Sequence, residues 1–171
     1  KILDILTREY PDAGCHLDYN NPFELLISTL LAAQCTDERV NMVMVPLYKK
    51  YKTPADFLKF TPAELEAELR SINFYRNKTK SVLACCKSLV DDHGGEVPKT
   101  MEELVKLAGV GRKTANVVLG NCFGEPAIMT DTHLNRVSQR LGLTESDKPE
   151  KIEIELKEII PPNRQVEYSH V

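Results

Sequence analysis

Helix-starting punctuation recurs at short intervals along this chain and constrains its fold more than any other feature. Asn21 precedes Pro22, Thr53 precedes Pro54, Thr61 precedes Pro62, and Thr36 precedes Asp37. Each supplies a side-chain oxygen that can accept from a first-turn amide, and proline sits where no N–H is needed. Thr61 with Glu64 and Thr100 with Glu103 have the spacing of capping boxes. Apolar residues then follow at steps of three and four. Phe23, Leu26, Ile27, Leu30 and Leu31 form one such series, and Val40, Val43, Leu47 and Tyr48 a second. Val82, Leu83, Cys86 and Val90 form a third, in a stretch from Asn77 to Asp91 that Gly94-Gly95 and Pro98 end. Sustained alternation is absent, and Val117-Val118 and Ile159-Ile160 lie inside helical patterns. The fold class is therefore all-α, with short connections between neighbouring helices.

A chain of 171 residues with 42% hydrophobic and 27% charged residues suits one globular unit or two small ones that share elements. The longest apolar run, Leu25 to Ala33, is interrupted by Ser28 and Thr29 and falls short of the ~20 residues of a membrane span. The opening Lys-Ile-Leu-Asp reads as a trimmed cytosolic chain without a signal peptide. Five cysteines, Cys15, Cys35, Cys85, Cys86 and Cys122, are scattered without CxxC spacing. That pattern disfavours a disulfide scaffold or a zinc site and favours a reducing compartment.

The net charge of −3 argues mildly against a polyanionic partner, but the charges are unevenly placed. No acidic residue lies between Glu68 and Asp91, where Arg70, Arg76, Lys78, Lys80 and Lys87 occur; acids gather at Glu64, Glu66 and Glu68 and from Glu145 to Glu158. Two readings stand at this point: a solvated helix face, or a local basic face for nucleic acid.

The stretch Leu107 to Val118 is the most informative. A helix ends near Leu107, Gly109 and Gly111 sit two apart, and a second helix starts at once. Glycine permits a tight turn and leaves no Cβ in the way of a phosphate, to which the following helix offers amides and its positive dipole end. A C-cap and an ordinary turn would use the same residues. Lys113 falls in the first turn of the second helix, where a cation opposes the macrodipole and adds nothing to helix stability. A neutral, partly buried amine there could act as a nucleophile. Asp131, in Met129-Thr130-Asp131-Thr132-His133, follows a Gly-Glu-Pro loop and precedes a helix. It is placed either to cap the amides of His133 and Leu134 or to bring a carboxylate to a site.

Four separated motifs in order, NPFELLISTLLAAQCTD (21–37), SINFYRNK (71–78), GEVPKTMEELVKL (95–107) and LAGVGRKTANVVL (107–119) followed by TDTH (130–133), resemble the helix-hairpin-helix DNA glycosylases of the endonuclease III family. The resemblance covers essentially the whole chain. It implies a six-helix barrel-like domain over 16–125 with the helix-hairpin-helix near 101–122. It also implies a second helical lobe from 1–15 and 126–171, with double-stranded DNA bound by residues of both. The implied activity is removal of an oxidised pyrimidine followed by cleavage at the abasic sugar. Lys113 would be the Schiff-base amine and Asp131 the catalytic carboxylate. Gln34 and Phe74, with Asn73, correspond to the positions that fill the hole left by an extruded base. Gly109, Gly111, Arg112 and Thr114 correspond to the phosphate-binding hairpin, and His133 either orients Asp131 or belongs to its cap.

Asn73-Phe74 stands where the family usually has Gly-Leu, which puts the opening step in question. The family's 4Fe–4S cluster is held by four closely spaced cysteines beyond the last residues of this chain; none of its own cysteines has that spacing, and a truncated chain is expected. The carbonyls of Gly109 and Gly111 offer a place for a monovalent cation. A monomer acting in the cytoplasm is expected. Two rivals share these residues: a glycosylase without lyase activity, in which Lys113 contacts only phosphate, and a non-catalytic hairpin module, in which Asp131 is only a cap.

Overall fold

The computed structural model describes residues 1–171. It contains helices and no strand: α1 (Ile2–Glu9), α2 (Pro22–Ala32), α3 (Asp37–Tyr48), α4 (Pro54–Phe57), α5 (Pro62–Leu69), α6 (Tyr75–His93), α7 (Met101–Leu104), α8 (Arg112–Phe123), α9 (Thr132–Arg140), α10 (Pro149–Ile159) and α11 (Gln165–His170). The all-α expectation holds. The chain divides into two compact units, one of residues 16–118 and one of 1–15 with 119–171, so the division falls inside α8.

In the 16–118 unit, α2 is apolar almost all round. Leu25, Leu26, Ile27 and Leu31 are fully buried, as expected of a central helix. Helix α2 packs on α3 and α6, and α6 also packs on α4 and α5. Some polar groups enclosed by this packing pair with one another, whereas the Thr79 hydroxyl on α6 has no partner. The Ser28 hydroxyl lies 2.8 Å from the Tyr48 hydroxyl, which donates to the Glu24 carbonyl at 2.9 Å. Burial pushes the Tyr48 phenol far above its ordinary range, so this network stays neutral. An aromatic cluster of Phe23, Tyr48, Tyr51, Phe57 and Phe60 fills the space beside α4.

The caps were well marked in the sequence. Asn21 accepts from Glu24 N, and Thr36 from Arg39 N. Thr53 with Asp56 and Thr61 with Glu64 close full capping boxes. Thr100 is only half a box: its Oγ1 accepts from Glu103 N at 3.4 Å, and the Glu103 carboxylate binds the Thr100 hydroxyl at 2.9 Å and not its amide.

The second unit has its own core of Leu3, Ile128, Leu134, Ile152, Leu156, Ile160 and Tyr168. Arg164 binds Glu167 and Asp4, and Thr7 donates to Glu167 at 2.6 Å, which ties α1 to α11. The buried Tyr168 hydroxyl lies 2.8 Å from Ser138 of α9. Helix α9, which carries Asp131 at its start, is thereby anchored to the core on the face opposite its exposed residues.

Candidate functional site

The hairpin lies between α7 and α8. Val110 N donates to Leu107 O at 3.1 Å and closes the turn, and Val110 and Leu107 are both buried beneath it. Gly109 has φ +76°, and a Cβ built there would lie 2.9 Å from Ser81 Cβ and 3.2 Å from Leu30 Cδ1. Only glycine meets both demands. Gly111 is different: its φ is not left-handed and its Cβ direction is open. Backbone geometry does not require glycine there, whereas a phosphate approaching the start of α8 would. Arg112 and Lys113 are exposed at that start, with Thr114 half-buried. The partial burial expected of Lys113 is not found, because its position in the first turn faces outward. The Gly111 carbonyl accepts from Ala115 N at 3.0 Å, at the start of α8.

In the other unit, Asp131 caps α9. Its Oδ1 accepts from His133 N at 2.9 Å and Leu134 N at 2.8 Å. Both cap bonds fall on Oδ1. The His133 ring turns to Arg136, with Nδ1 3.2 Å from its Nη2; the contribution of His133 to Asp131 is its backbone amide. Asp131, Leu134, Val137 and Tyr168 line a cavity of about 260 Å³.

The residues matched to the gap-filling positions come together within the 16–118 unit. Gln34 follows the end of α2 and Phe74 precedes α6. They are the two non-glycine residues of the chain with left-handed backbone, φ 55° and 57°. Such a conformation costs an L-residue about 1–2 kcal/mol, and it persists where the surroundings enforce it. Phe74 is 63% exposed, an unusual place for a large aromatic ring. The Asn73 side-chain amide donates to Gln34 O at 2.6 Å and joins the two turns.

Lys78 corrects the expected basic face. Its side chain is only 7% exposed, and its ammonium donates to Leu31 O at 2.8 Å and Ala33 O at 2.6 Å. Burial holds it below the usual lysine range. The signal for this was available: Lys78, Val82, Cys85, Cys86 and Leu89 share one helical face, and that face is buried. Lys87 is neutralised by Asp91 at 2.7 Å, and Arg76 lies 4.0 Å from Glu66. Arg70, Arg76 and Lys80 remain exposed on this segment.

A second cavity, about 690 Å³, lies at the start of α2 among Asn20, Glu24, Tyr48 and Lys52, and holds none of the expected site residues. No three His, Cys, Asp or Glu side chains converge as metal ligands. Cys85 and Cys86 are enclosed in α6, with burial pushing the Cys85 thiol up to about 12. The residues present do not fit a four-cysteine cluster.

Residues 27–162 match the model of the HhH-GPD superfamily base excision DNA repair proteins. The chain is 51% identical to endonuclease III of Bacillus subtilis over 141 residues, 82% of this chain and 64% of that protein. It is 48% identical to endonuclease III of Synechocystis over 162 residues, 94% of this chain and 74% of that protein. The chain thus spans about two thirds to three quarters of the length of these curated relatives. A solved non-covalent endonuclease III–DNA complex superposes with a TM-score of 0.95 at 48% identity, over 99% of this chain and 79% of that one. Over the hairpin, the capped aspartate and the joined turns alike, this chain belongs to the HhH-GPD superfamily of base excision DNA repair proteins.

Proposed function

We propose that this chain excises oxidised pyrimidines from double-stranded DNA and then cleaves the abasic strand, acting as a monomer in the cytoplasm. The observation that carries the reading is Lys113, an exposed amine in the first turn of α8 directly after the Gly109 turn, in a member of this family. The amides at the start of α8 bind a backbone phosphate and bring the strand to that amine. The target nucleotide leaves the stack, and Gln34 and Phe74 occupy the hole. The Lys113 Nζ lone pair then adds to C1′ of the sugar. The C1′–N bond breaks and the base departs with the bonding pair.

The Asp131 carboxylate stabilises the positive charge that develops on the sugar. Loss of the amine proton and opening of the ring give an imine between Lys113 and C1′. Removal of a C2′ proton expels the 3′ phosphate, so the strand breaks by β-elimination. Water then hydrolyses the imine and frees the lysine.

Borohydride reduces an imine to a stable amine, so a duplex with one oxidised pyrimidine should become covalently attached to the protein, and Lys113→Gln should give no adduct. Base release without trapping in the parent chain would make it a glycosylase without lyase activity. Normal trapping in Lys113→Gln would remove this lysine from the mechanism.

A further inference from the structure

The end of α2 presents the carbonyls of Leu31, Ala33 and Gln34, which no further helical turn can satisfy. All three are bound by side chains from within five residues of Phe74: Asn73 holds Gln34 O, and Lys78 spans Leu31 O and Ala33 O. The Lys78 amide also donates to Phe74 O at 3.1 Å, the first backbone bond of α6. A buried ammonium at a helix C-terminus suits the dipole there, and two of its three protons are fixed by carbonyls in place of a carboxylate partner. Both left-handed residues, Gln34 and Phe74, thus sit beside these bonds. Neither turn has a glycine to hold its conformation without support.

We propose that Asn73 and Lys78 are positioning residues that lock the Gln34 turn and the Phe74 tip into one insertion element, so that both side chains enter DNA together. The inference rests on the reading that Gln34 and Phe74 fill the gap left by an extruded base. It adds that the filling is a single concerted act, and that Asn73 supplies a link that a glycine at 73 has no donor to make. If the turns moved independently, each side chain would have to be ordered anew on DNA. With the staple, that ordering is already present in the free protein.

The test compares Asn73→Gly, Gln34→Ala and the double variant by single-turnover base release, by cleavage of a pre-formed abasic site, and by fluorescence of a 2-aminopurine placed opposite the lesion, which brightens on unstacking. Asn73→Gly should slow base release by about tenfold and change abasic-site cleavage less than about twofold, because no base needs extruding there. Adding Asn73→Gly to Gln34→Ala should slow release by clearly less than the product of the two single losses, since part of the staple's effect passes through the Gln34 side chain. Lys78→Met should show the same split wherever its melting curve remains cooperative, and Asn73 carries the test if that variant fails to fold.

Independent, multiplicative losses in the double variant would overturn the proposal, as would equal loss of both activities or no loss in Asn73→Gly. The fluorescence separates this inference from the proposed function. If the parent chain unstacks the probe without releasing a base, and Asn73→Gly diminishes the unstacking, the staple stands and the glycosylase reading falls. If the parent chain does not unstack the probe, the staple falls too.

Discussion

Two places in the 16–118 unit put residues of the proposed function beside left-handed backbone, the hairpin at Gly109 and the joined turns at Gln34 and Phe74, and they support that backbone by different means. At the hairpin the left-handed residue is glycine, and the proposed nucleophile, Lys113, stands four residues later on regular helix. Conformation and chemistry are assigned to different residues, and the turn holds itself. At Gln34 and Phe74 one residue would do both jobs, because in the proposed function the left-handed position is also the tip that meets DNA. Glycine would relieve the strain and leave nothing to insert. The strain is therefore retained and opposed by bonds from Asn73 and Lys78, which reach 39 to 47 positions along the chain. In the proposed function Asp131 would combine two jobs at less cost, since a carboxylate is a good helix cap in its own right.

Asp131→Asn tests that last point and carries the largest expected effect. Asparagine caps as well as aspartate, so the melting temperature should stay nearly unchanged, while base release slows by about 10²–10³-fold through loss of the charge. Activity lost only in proportion to unfolding, followed by circular dichroism, would reduce Asp131 to a cap.

Phe74→Gly breaks the joined turns in the opposite sense. It removes the left-handed penalty and little buried surface, so stability should hold or rise slightly even though an unfolded glycine is freer. Base release should still fall, by about tenfold, with abasic-site cleavage spared. A large drop in melting temperature would show that the ring packs in the folded chain.

Gly109→Ala should do the reverse at the hairpin. The strained φ and the overlap with Ser81 and Leu30 should cost about 1–3 kcal/mol in chemical denaturation. Both activities should weaken together through poorer DNA binding. Unchanged stability would mean that α6 yields more readily than its packing suggests.

Arg112→Ala has the smallest expected effect. It should weaken binding to damaged and undamaged duplex alike and lower the slope of log affinity against log salt by about one. Lys78 is excluded from that electrostatic set, because its charge is spent on carbonyls inside the unit.

The helices and their starts were legible in the sequence because capping and apolar periodicity act within a few residues. Asn21, Thr36, Thr53 and Thr61 cap where their local sequence places them. The hairpin was legible for the same reason, as was the cap at Asp131. Charge counted along the chain places Lys78 on a basic face, whereas burial is set by which face of α6 meets α2. The link from Asn73 to Gln34 has no local signature at all: its donor and acceptor are 39 residues apart, and neither neighbourhood hints at the other. The sequence by itself determined the helical class, the hairpin turn and the cap at Asp131, because each depends on interactions within one or two turns of the backbone. The tertiary structure decided which carbonyls the Lys78 ammonium binds, and which exposed residues keep left-handed backbone. Those outcomes depend on carbonyls and side chains brought together by packing of distant segments.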